Sequence, residues 1–274
     1  MPELPEAETI ARDIDARASG ATVRAVRVHR PDVLVPGNTP ARLSRELRGR
    51  RLERVSRRGK NVVLEFDEGW RLVINLGMTG RIVASDSPRA PELRHVAVRI
   101  LLEDGRSLLY DDARRFGRLD LRDPDAWLER TASLGIEPLA PEFTADWLFQ
   151  ATRGSRVPLR NWLLDQKRIA GVGNIYANEA LFRAGIRPSR RARFLRRREA
   201  GPLRDALRDV LTEAIHSRGT TLNDYRDGSG EEGGFQVRLR VYDRQGKPCL
   251  LCGTPIKRIV LSNRSAFYCP VCQQ

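Results

Sequence analysis

Lysine is scarce in this otherwise strongly basic chain. Of 49 basic residues only four are lysines, Lys60, Lys167, Lys247 and Lys257, and the other 45 are arginines. Histidine occurs three times, and no cysteine precedes residue 249. No run approaches the ~18–20 uninterrupted apolar residues of a membrane span, and the first residues lack the charged-then-apolar layout of a secretory signal. We therefore expect no membrane-spanning helix and a cytoplasmic protein.

Length and charge indicate the class of protein. At 274 residues the chain fits two modules, given roughly 100–200 residues per domain. The net charge of +14 and a pI near 10.6 favour a polyanionic partner, because the planar fork of arginine suits phosphate. Binding of nucleic acid would then weaken with salt. An arginine-rich composition from a biased genome is the alternative.

The hydrophobic pattern changes along the chain. Residues 5–18 have apolar side chains at helical spacing. The pattern then changes to short predicted strands, separated by Gly, Pro and acidic turns such as Glu103-Asp104-Gly105. The predicted strands are Val23–Val28, Asn61–Phe66, Arg71–Asn75, Val96–Leu102 and Ser107–Tyr110. Several short strands behind a leading helix favour a β-sandwich.

Helical patterns dominate the second half. We predict helices over residues 158–169 and 174–184 and a third that ends before Gly219. Residues 226–234 are too polar and glycine-rich to pack and predict a mobile loop. The run Arg187–Arg198 contains seven arginines. It could be a DNA-facing strip, although a solvated basic face is the simpler interpretation.

The opening residues Met1-Pro2-Glu3-Leu4-Pro5-Glu6 allow two interpretations. Pro5 suits the first turn of a helix, where its missing N–H costs nothing, so the segment could be an ordinary helix start. If Met1 is removed, however, Pro2 becomes an N-terminal secondary amine, which can attack an electrophilic carbon and form an imine without a cofactor. Glu3 would stand beside that amine.

Lys60 is the second unusual residue. Arginine would serve for charge or phosphate contact, but it cannot give up its proton near neutral pH, whereas a lysine can be tuned to act as acid, base or nucleophile. Lys60 follows Ser56-Arg57-Arg58-Gly59 and precedes an apolar run, so it is expected where a turn enters a strand. Chance retention of a lysine on a basic turn is the alternative.

The four cysteines predict a metal site. Cys249 and Cys252 are followed after sixteen residues by Cys269 and Cys272, a spacing typical of four thiolates around zinc. Two disulfides are the alternative. Four sulfur ligands leave no open position for water, so one structural Zn²⁺ is expected rather than a catalytic metal, and it would stabilise a hairpin too small to bury a core.

In order along the chain, these pieces resemble the formamidopyrimidine-DNA glycosylase family of bacterial base-excision enzymes. The matching motifs are Met1–Glu6, Arg57–Lys60, Leu76–Gly80, Arg114–Gly117, Gly171–Tyr176, Gly219–Leu222 and the four-cysteine finger ending at Gln273. The resemblance implies an α+β multidomain protein that holds DNA between its halves. The expected parts are a catalytic β-sandwich over 1–125, a helix–two-turn–helix domain over 126–222, and a flexible lesion-capping loop with the zinc finger over 223–274.

The resemblance also implies a bifunctional glycosylase and abasic-site lyase for oxidised purines. Pro2 would attack C1′ of the damaged nucleotide, and Glu3 would act as acid. Lys60 would supply a proton relay or phosphate contact, Glu6 would organise the site, and Arg264 on the finger would contribute to δ-elimination. No organic cofactor is expected. The implied partner is damaged double-stranded DNA in the bacterial cytoplasm and nucleoid, bound by a monomer.

Three residues would fill the space left by a flipped base. Met78 and Phe116 would wedge between bases, and Arg114 would pair with the orphaned cytosine; without the resemblance, Met78 and Phe116 would be interpreted as core residues. Further DNA contacts are expected from His95, Asn174 and Arg156.

The chain departs from the family pattern in places. The family's usual Lys-His-x-His-Val is here Arg94-His95-Val96-Ala97-Val98, so only His95 carries over. Ala113 replaces a common proline, and Arg156 and Arg160 stand where lysines are frequent. We expect phosphate contact to survive these lysine-to-arginine changes.

Two rival functions remain open. The sister endonuclease VIII type shares Pro2, Glu3 and the finger but prefers oxidised pyrimidines; Leu4 and the Arg-Arg-Phe-Gly motif favour the purine enzyme. A non-catalytic zinc-ribbon protein that binds DNA is the rival from another class.

Overall fold

The computed structural model describes residues 2–86, 93–221, 227–228 and 231–274. These residues form two compact units, described separately. The first comprises residues 1–133 with 217–234, and the second comprises residues 134–216 with 235–274. No helix among the described residues combines the length and the apolar character needed to cross a membrane.

Helix α1, Leu4–Ala18, opens the first unit and matches the predicted helix closely. Glu3 is its N-cap, and Pro5 lies in the first turn, where the missing N–H leaves no bond unmade. Ile10 and Ile14 are fully buried one helical turn apart. The amphipathic spacing therefore places the apolar side of α1 against the core of the unit.

Two four-stranded antiparallel sheets form the body of the first unit, as the sandwich prediction requires. They share one hydrophobic core with α1. In one sheet the order is β1–β6–β7–β5, and in the other it is β2–β3–β4–β8. The strands are β1 Val23–Val28, β2 Leu52–Arg58, β3 Asn61–Phe66, β4 Arg71–Asn75, β5 Arg81–Ser85, β6 Val96–Leu102, β7 Ser107–Asp111 and β8 Arg118–Arg122.

The five predicted strands are confirmed as β1, β3, β4, β6 and β7. Strands β2 and β8 were not predicted, because arginine and acidic side chains break their apolar runs, and β5 was not predicted because its apolar run is only three residues long, from Ile82 to Ala84. In β2 only Leu52 and Val55 are buried. Two further helices, α2 Pro40–Leu47 and α3 Pro124–Ala132, begin after Thr39 and Asp123, whose side chains accept a backbone N–H of the first turn.

The second unit is helical and ends in a hairpin. Its elements are α4 Ala145–Thr152, α5 Leu159–Leu164, α6 Asn174–Arg183, α7 Arg197–His216, β9 Lys257–Leu261 and β10 Arg264–Tyr268. The helix predicted over 158–169 is shorter than expected. Asp165 ends it, because its carboxylate accepts the backbone N–H of Lys167 and the Nε–H of Arg168, a local alternative to continuing the helix.

A buried carboxylate joins α6 to the segment before the hairpin. Glu179 is fully buried and accepts the backbone N–H groups of Arg240, Val241 and Tyr242 at 2.8–3.0 Å. Buried donors must be satisfied, so this one side chain fixes the approach to the finger.

Several arginines of the run Arg187–Arg198 make contacts within the second unit. Arg190 forms a two-bond pair with Glu199 at 2.8 and 3.0 Å, and Arg197 bonds Asp146. These pairs agree with a partly solvated basic face. The DNA-facing interpretation of the run stays a prediction.

Candidate active site and nucleic-acid interface

The first turn of α1 holds two buried carboxylates. Glu3 and Glu6 are 4% and 2% exposed. They form a reciprocal cap: the Glu6 carboxylate accepts the backbone N–H of Glu3 at 2.8 Å, and the Glu3 carboxylate accepts the backbone N–H of Glu6. The other Glu6 oxygen accepts the backbone N–H of Thr220 at 2.8 Å. Both oxygens of the Glu6 carboxylate are thus bonded, and the Glu3 carboxylate, on the residue next to Pro2, completes the cap.

Pro2 itself is buried at the start of α1. Its predicted role depends on removal of Met1, which lies outside the described residues. The capping arrangement fixes the direction in which the chain enters the helix, and it therefore sets the position of the Pro2 nitrogen relative to the Glu3 side chain.

Lys60 lies in the two-residue turn between β2 and β3, as the sequence predicts. Arg58 pairs with Asn61 across the turn, and Gly59 has a φ of +60°, a conformation that glycine adopts without strain. The Lys60 side chain is half-buried. The carbonyl of Arg58 accepts the Asn61 side-chain amide at 3.0 Å, which closes the turn further.

One arginine connects this turn to α1. Arg57 donates from Nε to Glu8 on α1 at 2.9 Å and from a terminal nitrogen to the carbonyl of Gly59 at 3.0 Å. Its side chain is only 9% exposed. The turn that carries Lys60 is therefore tied to the helix that carries Pro2 and Glu3.

Two loops of the first unit place exposed apolar side chains together. Met78 is 43% exposed and Phe116 is 53% exposed, so neither is a core residue. The Arg114 guanidinium lies 4.6 Å from the centre of the Phe116 ring. Gly77 has a φ of +61°, and a Cβ there would lie 2.5 Å from the backbone nitrogen of Gly117, so only glycine permits this approach of the loops.

Asp112 holds both loops from beneath. It is 1% exposed and accepts the Thr79 hydroxyl at 2.6 Å and the backbone N–H of Gly117 at 2.9 Å. Thr79 in turn accepts the backbone N–H of Arg114 at 3.2 Å. This network holds the two loops that carry Met78, Arg114 and Phe116, the three residues predicted to fill the space left by a flipped nucleobase.

His95 lines a basic cleft in the same unit. The cleft has a volume of about 600 Å³, and its charged or titratable lining consists of His29, Arg30, Arg94, His95, Asp112 and Arg115. Asp112 is already bonded to the two loops, and Arg115 pairs with the exposed Asp32 at 3.2 Å. The cleft is therefore positively charged overall and suits an anion.

The four cysteines meet at the base of the hairpin. Their Sγ atoms all lie within 4.8 Å of one another. The Cys249–Cys272 and Cys252–Cys269 sulfur pairs are 3.9 and 3.5 Å apart, too far for disulfides but close to the ~3.8 Å edge of a tetrahedron with Zn–S bonds of ~2.3 Å. The disulfide alternative is wrong, and the set fits one structural Zn²⁺.

Without a bound cation the four thiols do not ionise alike: hydrogen bonds with Thr254 lower the pKa of Cys252 to about 6. A hydrogen bond to Cys252, then burial and the other thiols, raise the pKa of Cys272 to about 12. Four thiolates at this spacing would otherwise repel one another strongly. A bound zinc would stabilise all four in the charged form.

The other predicted contacts occupy different environments within the second unit. Asn174 begins α6 and donates from its amide to the carbonyl of Ser265 at 3.0 Å. Arg156 and Arg264 are exposed. Arg160, expected beside Arg156 as a surface phosphate contact, is instead 1% exposed.

The segment predicted as a mobile loop is anchored where the structure describes it. Asp227 is fully buried and bonds Arg218, which also bonds Asp13 on α1. The N–H of Gly228 donates to Asp13 at 3.1 Å. The prediction that this stretch is too polar to pack is wrong for these two residues, because paired charges make burial possible. Residues 226, 229 and 230 lie outside the described residues.

Comparison with known families decides the class of protein. Residues 1–119 match the formamidopyrimidine-DNA glycosylase N-terminal domain. Residues 134–226 match the H2TH domain of the same enzyme, and residues 246–274 match a zinc finger found in FPG and IleRS. The chain belongs to the formamidopyrimidine-DNA glycosylase family. Membership makes it a DNA glycosylase, and abasic-site lyase activity belongs to the same family.

Relatives of the formamidopyrimidine-DNA glycosylase family match along the whole chain. The proteins of that name from Thioalkalivibrio sulfidiphilus and Chloroflexus aggregans are 45% and 43% identical, with 100% of this chain and 100% and 98% of the relatives covered.

Solved structures of the formamidopyrimidine-DNA glycosylase family agree with the fold. The MutM (Fpg) protein from Thermus thermophilus is 42% identical, with a TM-score of 0.86 and 99% and 98% of the two chains covered. A Lactococcus lactis FPG mutant, solved in complex with Fapy-dG-containing DNA, is 30% identical with a TM-score of 0.91 and full coverage of both chains.

Sequence reasoning missed three features of this formamidopyrimidine-DNA glycosylase site. The first is the Arg57–Glu8 pair, since nothing in the spacing relates two residues 49 positions apart. The second is the hydrogen bond from the backbone N–H of Thr220 to the Glu6 carboxylate, which also joins residues far apart in the sequence. The third is that His29 lines the same cleft as His95; alone in the sequence, His29 carries no recognisable signal.

Proposed function

We propose that this chain excises oxidised purines from duplex DNA through an imine between Pro2 and the damaged sugar, followed by β- and δ-elimination. The observation that carries the proposal is the buried cap of α1, in which Glu6 binds the backbone of Glu3 while Glu3 remains beside Pro2. An ordinary helix start needs no second buried carboxylate fixed by a distant backbone N–H.

Each group has a definite part in the chemistry. The Pro2 nitrogen bonds to C1′ as the glycosidic bond breaks and the base leaves. Glu3 gives a proton to the sugar ring oxygen as the ring opens to the iminium. The iminium acidifies the proton on C2′, and its loss expels the 3′-phosphate; loss of a further sugar proton then expels the 5′-phosphate.

Lys60 supports both eliminations in this proposal. Its ammonium group can neutralise charge on a departing phosphate, and it can also pass on a proton. An arginine could do the first but not the second near neutral pH. The tie from Arg57 to the Lys60 turn supports this role, because proton transfer requires a fixed distance between donor and acceptor. Arg264 is proposed to assist δ-elimination.

Access to C1′ requires that the damaged nucleotide leave the stack. Met78 and Phe116 are proposed to fill the vacated space and Arg114 to contact the opposite base. Their exposure and the hydrogen-bond network on Asp112 support this assignment, since side chains that insert between nucleobases must project from loops that are held in place. Residues 226–234 are proposed to cover the flipped base.

DNA backbone contacts are proposed for His95, Asn174 and Arg156. The net charge of +14 and the basic cleft around His95 support a phosphate-binding role. The division into a catalytic domain over 1–125, a DNA-binding domain over 126–222 and a loop-and-finger segment over 223–274 is part of the same proposal, as are a monomeric state and a place in the bacterial cytoplasm.

Borohydride trapping tests the chemistry directly. The mature protein is incubated with duplexes that carry 8-oxoguanine opposite cytosine, a formamidopyrimidine, or an oxidised pyrimidine, and the N-terminal peptide of any adduct is analysed by mass spectrometry. We expect adducts on Pro2 with both purine lesions. The pyrimidine arm is informative because a Lactococcus lactis Fpg has been solved with DNA containing an oxidised pyrimidine.

Matched variants sharpen the result. A chain with one extra residue before Pro2 should trap nothing, and Lys60→Arg should lose strand cleavage, whereas Lys167→Arg at an exposed position should behave as the unmodified protein. No adduct with any duplex would leave the non-catalytic DNA-binding function. An adduct only with the pyrimidine would assign the endonuclease VIII specificity.

A further inference from the structure

The loop that carries Arg114 and Phe116 contains a strained residue between them. Arg115 has a φ of +55°, in the left-handed region that a non-glycine residue seldom occupies. Such a conformation persists only where the surrounding contacts hold it. The shape of this loop therefore depends on bonds made by the residues on either side of Arg115.

Asp112 provides bonds on both sides of Arg115. On one side, its carboxylate accepts the backbone N–H of Gly117 at 2.9 Å. On the other side, the Thr79 hydroxyl accepts the backbone N–H of Arg114 at 3.2 Å and donates to Asp112 at 2.6 Å. Thr79 thereby transmits the constraint from the buried carboxylate to the residue before the strained one.

The carboxylate of Asp112 is itself held in place. It accepts the Tyr110 hydroxyl at 3.0 Å, and the backbone N–H of Asp112 donates to the carbonyl of His95 at 3.1 Å. Burial, and then the charge of Asp112, raise the pKa of Tyr110 above its ordinary value of 10.0, so the hydroxyl keeps its proton and remains a donor. A Cβ on Gly117 would overlap this hydroxyl, so the loop packs directly against it.

The two arginines of the loop differ in what they contact. Arg115 pairs with Asp32 at 3.2 Å. The Arg114 guanidinium lies 4.6 Å from the centre of the Phe116 ring, and no carboxylate pairs with it in the part of the chain that the structure describes. The donors of Arg114 are therefore available to a nucleobase, and the Phe116 ring and the bond to Thr79 together determine their position.

Recognition of a nucleobase by arginine depends on that position. The planar fork of arginine donates two hydrogen bonds in a fixed geometry. The exposed edge of an unpaired cytosine offers two adjacent acceptors, whereas that of adenine offers one acceptor beside a donor. A sideways shift of the fork would break at least one of the two bonds to cytosine, and selectivity would fall.

We infer that Thr79 is a positioning residue that sets the selectivity for the base opposite the lesion. The inference rests on the proposed contact between Arg114 and that base, and it extends this contact to a hydroxyl that acts through the Arg114 backbone. Asp112 is the fixed point of the arrangement, and Thr79 connects it to the arginine.

Binding of the zinc-loaded full chain to two duplexes tests the inference. They carry a tetrahydrofuran abasic analogue opposite cytosine or adenine, and fluorescence anisotropy measures the two affinities. We expect the unmodified chain to favour cytosine about tenfold. Arg114→Gln should abolish this preference. Thr79→Val keeps the volume of the side chain but not its hydroxyl, and it should reduce the preference by about threefold or more.

Matched variants separate positioning from stability. Thr79→Ser retains the hydroxyl and should retain the preference. Thr39→Val removes a different hydroxyl of the first unit, which caps α2 by accepting the backbone N–H of Arg42 at 3.1 Å, and it should lower the melting temperature without changing the preference. Thr79 is only half-buried, and Thr79→Ala takes the place of the valine variant if that variant does not fold.

Several results would overturn the inference. They are a ratio of affinities near one in the unmodified chain, an unchanged ratio in Thr79→Val, and an equal loss in Thr79→Ser or Thr39→Val. The analogue has no leaving group at C1′, so the measurement does not depend on Pro2. Trapping at Pro2 with an unchanged ratio in Thr79→Val would remove the positioning role alone, whereas a reduced ratio without trapping would remove only the proposed chemistry.

Discussion

Arg57 and Glu8 form a salt bridge of 2.9 Å between the end of β2 and the second turn of α1. The same guanidinium binds the carbonyl of Gly59, the residue before Lys60. One buried cation therefore joins α1, which follows directly after Pro2 and Glu3, to the turn that presents Lys60. We regard Arg57 as a positioning residue, since it acts on the site through Glu8 and Gly59.

Replacement of Arg57 should slow chemistry more than it weakens binding. In Arg57→Gln the turn loses its tie to α1, so we expect the single-turnover rate of strand cleavage to fall about 10–100-fold, as misplacement of a reacting group does. The affinity for uncleaved duplex, measured by fluorescence anisotropy, should change no more than in the control Arg54→Gln, which removes an exposed charge from the same strand. Equal losses of rate in the two variants would contradict a positioning role.

Low pH should weaken the Arg57–Glu8 salt bridge, which attaches α1 to the turn that carries Lys60. Burial of Glu8 opposes its ionisation, but Arg57 and then Arg12 outweigh it, so the pKa of the Glu8 carboxyl lies below its ordinary value of 4.5. A carboxyl with a lowered folded-state pKa contributes stability above its unfolded-state pKa and loses that contribution as the pH falls through the folded-state pKa. Glu8→Gln should therefore cost about 1 kcal/mol at pH 7.

That cost should shrink below pH 4.5, where the wild-type protein loses the same contribution. Chemical unfolding of the two proteins at pH 7 and at acid pH measures the difference. A cost that is constant across this range would show that the stability does not come from the charge of Glu8.

Truncation of Met78 or Phe116, the two exposed residues proposed to insert between nucleobases, should slow excision from paired DNA without lowering the stability of the protein. Met78 and Phe116 are about half-exposed, so Met78→Ala and Phe116→Ala should leave the melting temperature nearly unchanged. The excision rate should fall about tenfold for a lesion in paired duplex, because filling the vacated space offsets a few kcal/mol of unstacking.

A lesion opposite an abasic site is already weakly stacked, and there the two variants should approach the wild-type rate. Leu128→Ala, which truncates a different exposed apolar side chain of the first unit, serves as the control and should be active on both duplexes. A uniform defect of the wedge variants on both would argue for a general loss of binding.

Removal of the metal should unfold the hairpin. The purified protein should contain one zinc per chain, and Co²⁺ in its place should give the absorption of a tetrahedral four-thiolate site. Chelation or Cys269→Ser should abolish that absorption and weaken duplex binding, since the finger cannot bury a core of its own. Retention of zinc and of full DNA affinity by Cys269→Ser would contradict a four-cysteine site.

Glu179 should be among the most costly residues to truncate in the second unit. Glu179→Ala leaves three buried N–H groups without their acceptor, which predicts a loss of about 3 kcal/mol or more in the free energy of unfolding. Glu179→Gln retains one oxygen of similar position and should lose about half as much. Equal stability of the alanine variant and the wild type would show that other groups satisfy these donors.

Local patterns in the sequence were enough to predict much of the fold. The short apolar runs of β3 and β4 and the apolar spacing of α1 are patterns within one element, and these elements were found at nearly the predicted bounds. Strand β2 was missed because its stability comes from pairing with β3 rather than from its own apolar content. The early end of α5 depends on one carboxylate that competes for backbone donors, which helical spacing does not register.

The sequence by itself was enough to predict Pro2, Glu3 and Lys60 as the candidate residues of the chemistry, and four cysteines whose spacing has one common metal geometry. Only the tertiary structure decided that Arg57 links Lys60 to α1, that Thr220 binds Glu6, and that Met78 and Phe116 are exposed rather than core. It also decided that Arg160 is a buried cation rather than a surface contact. The physical reason is that motifs record which groups are present, whereas burial and hydrogen bonding between residues distant in the chain exist only after folding.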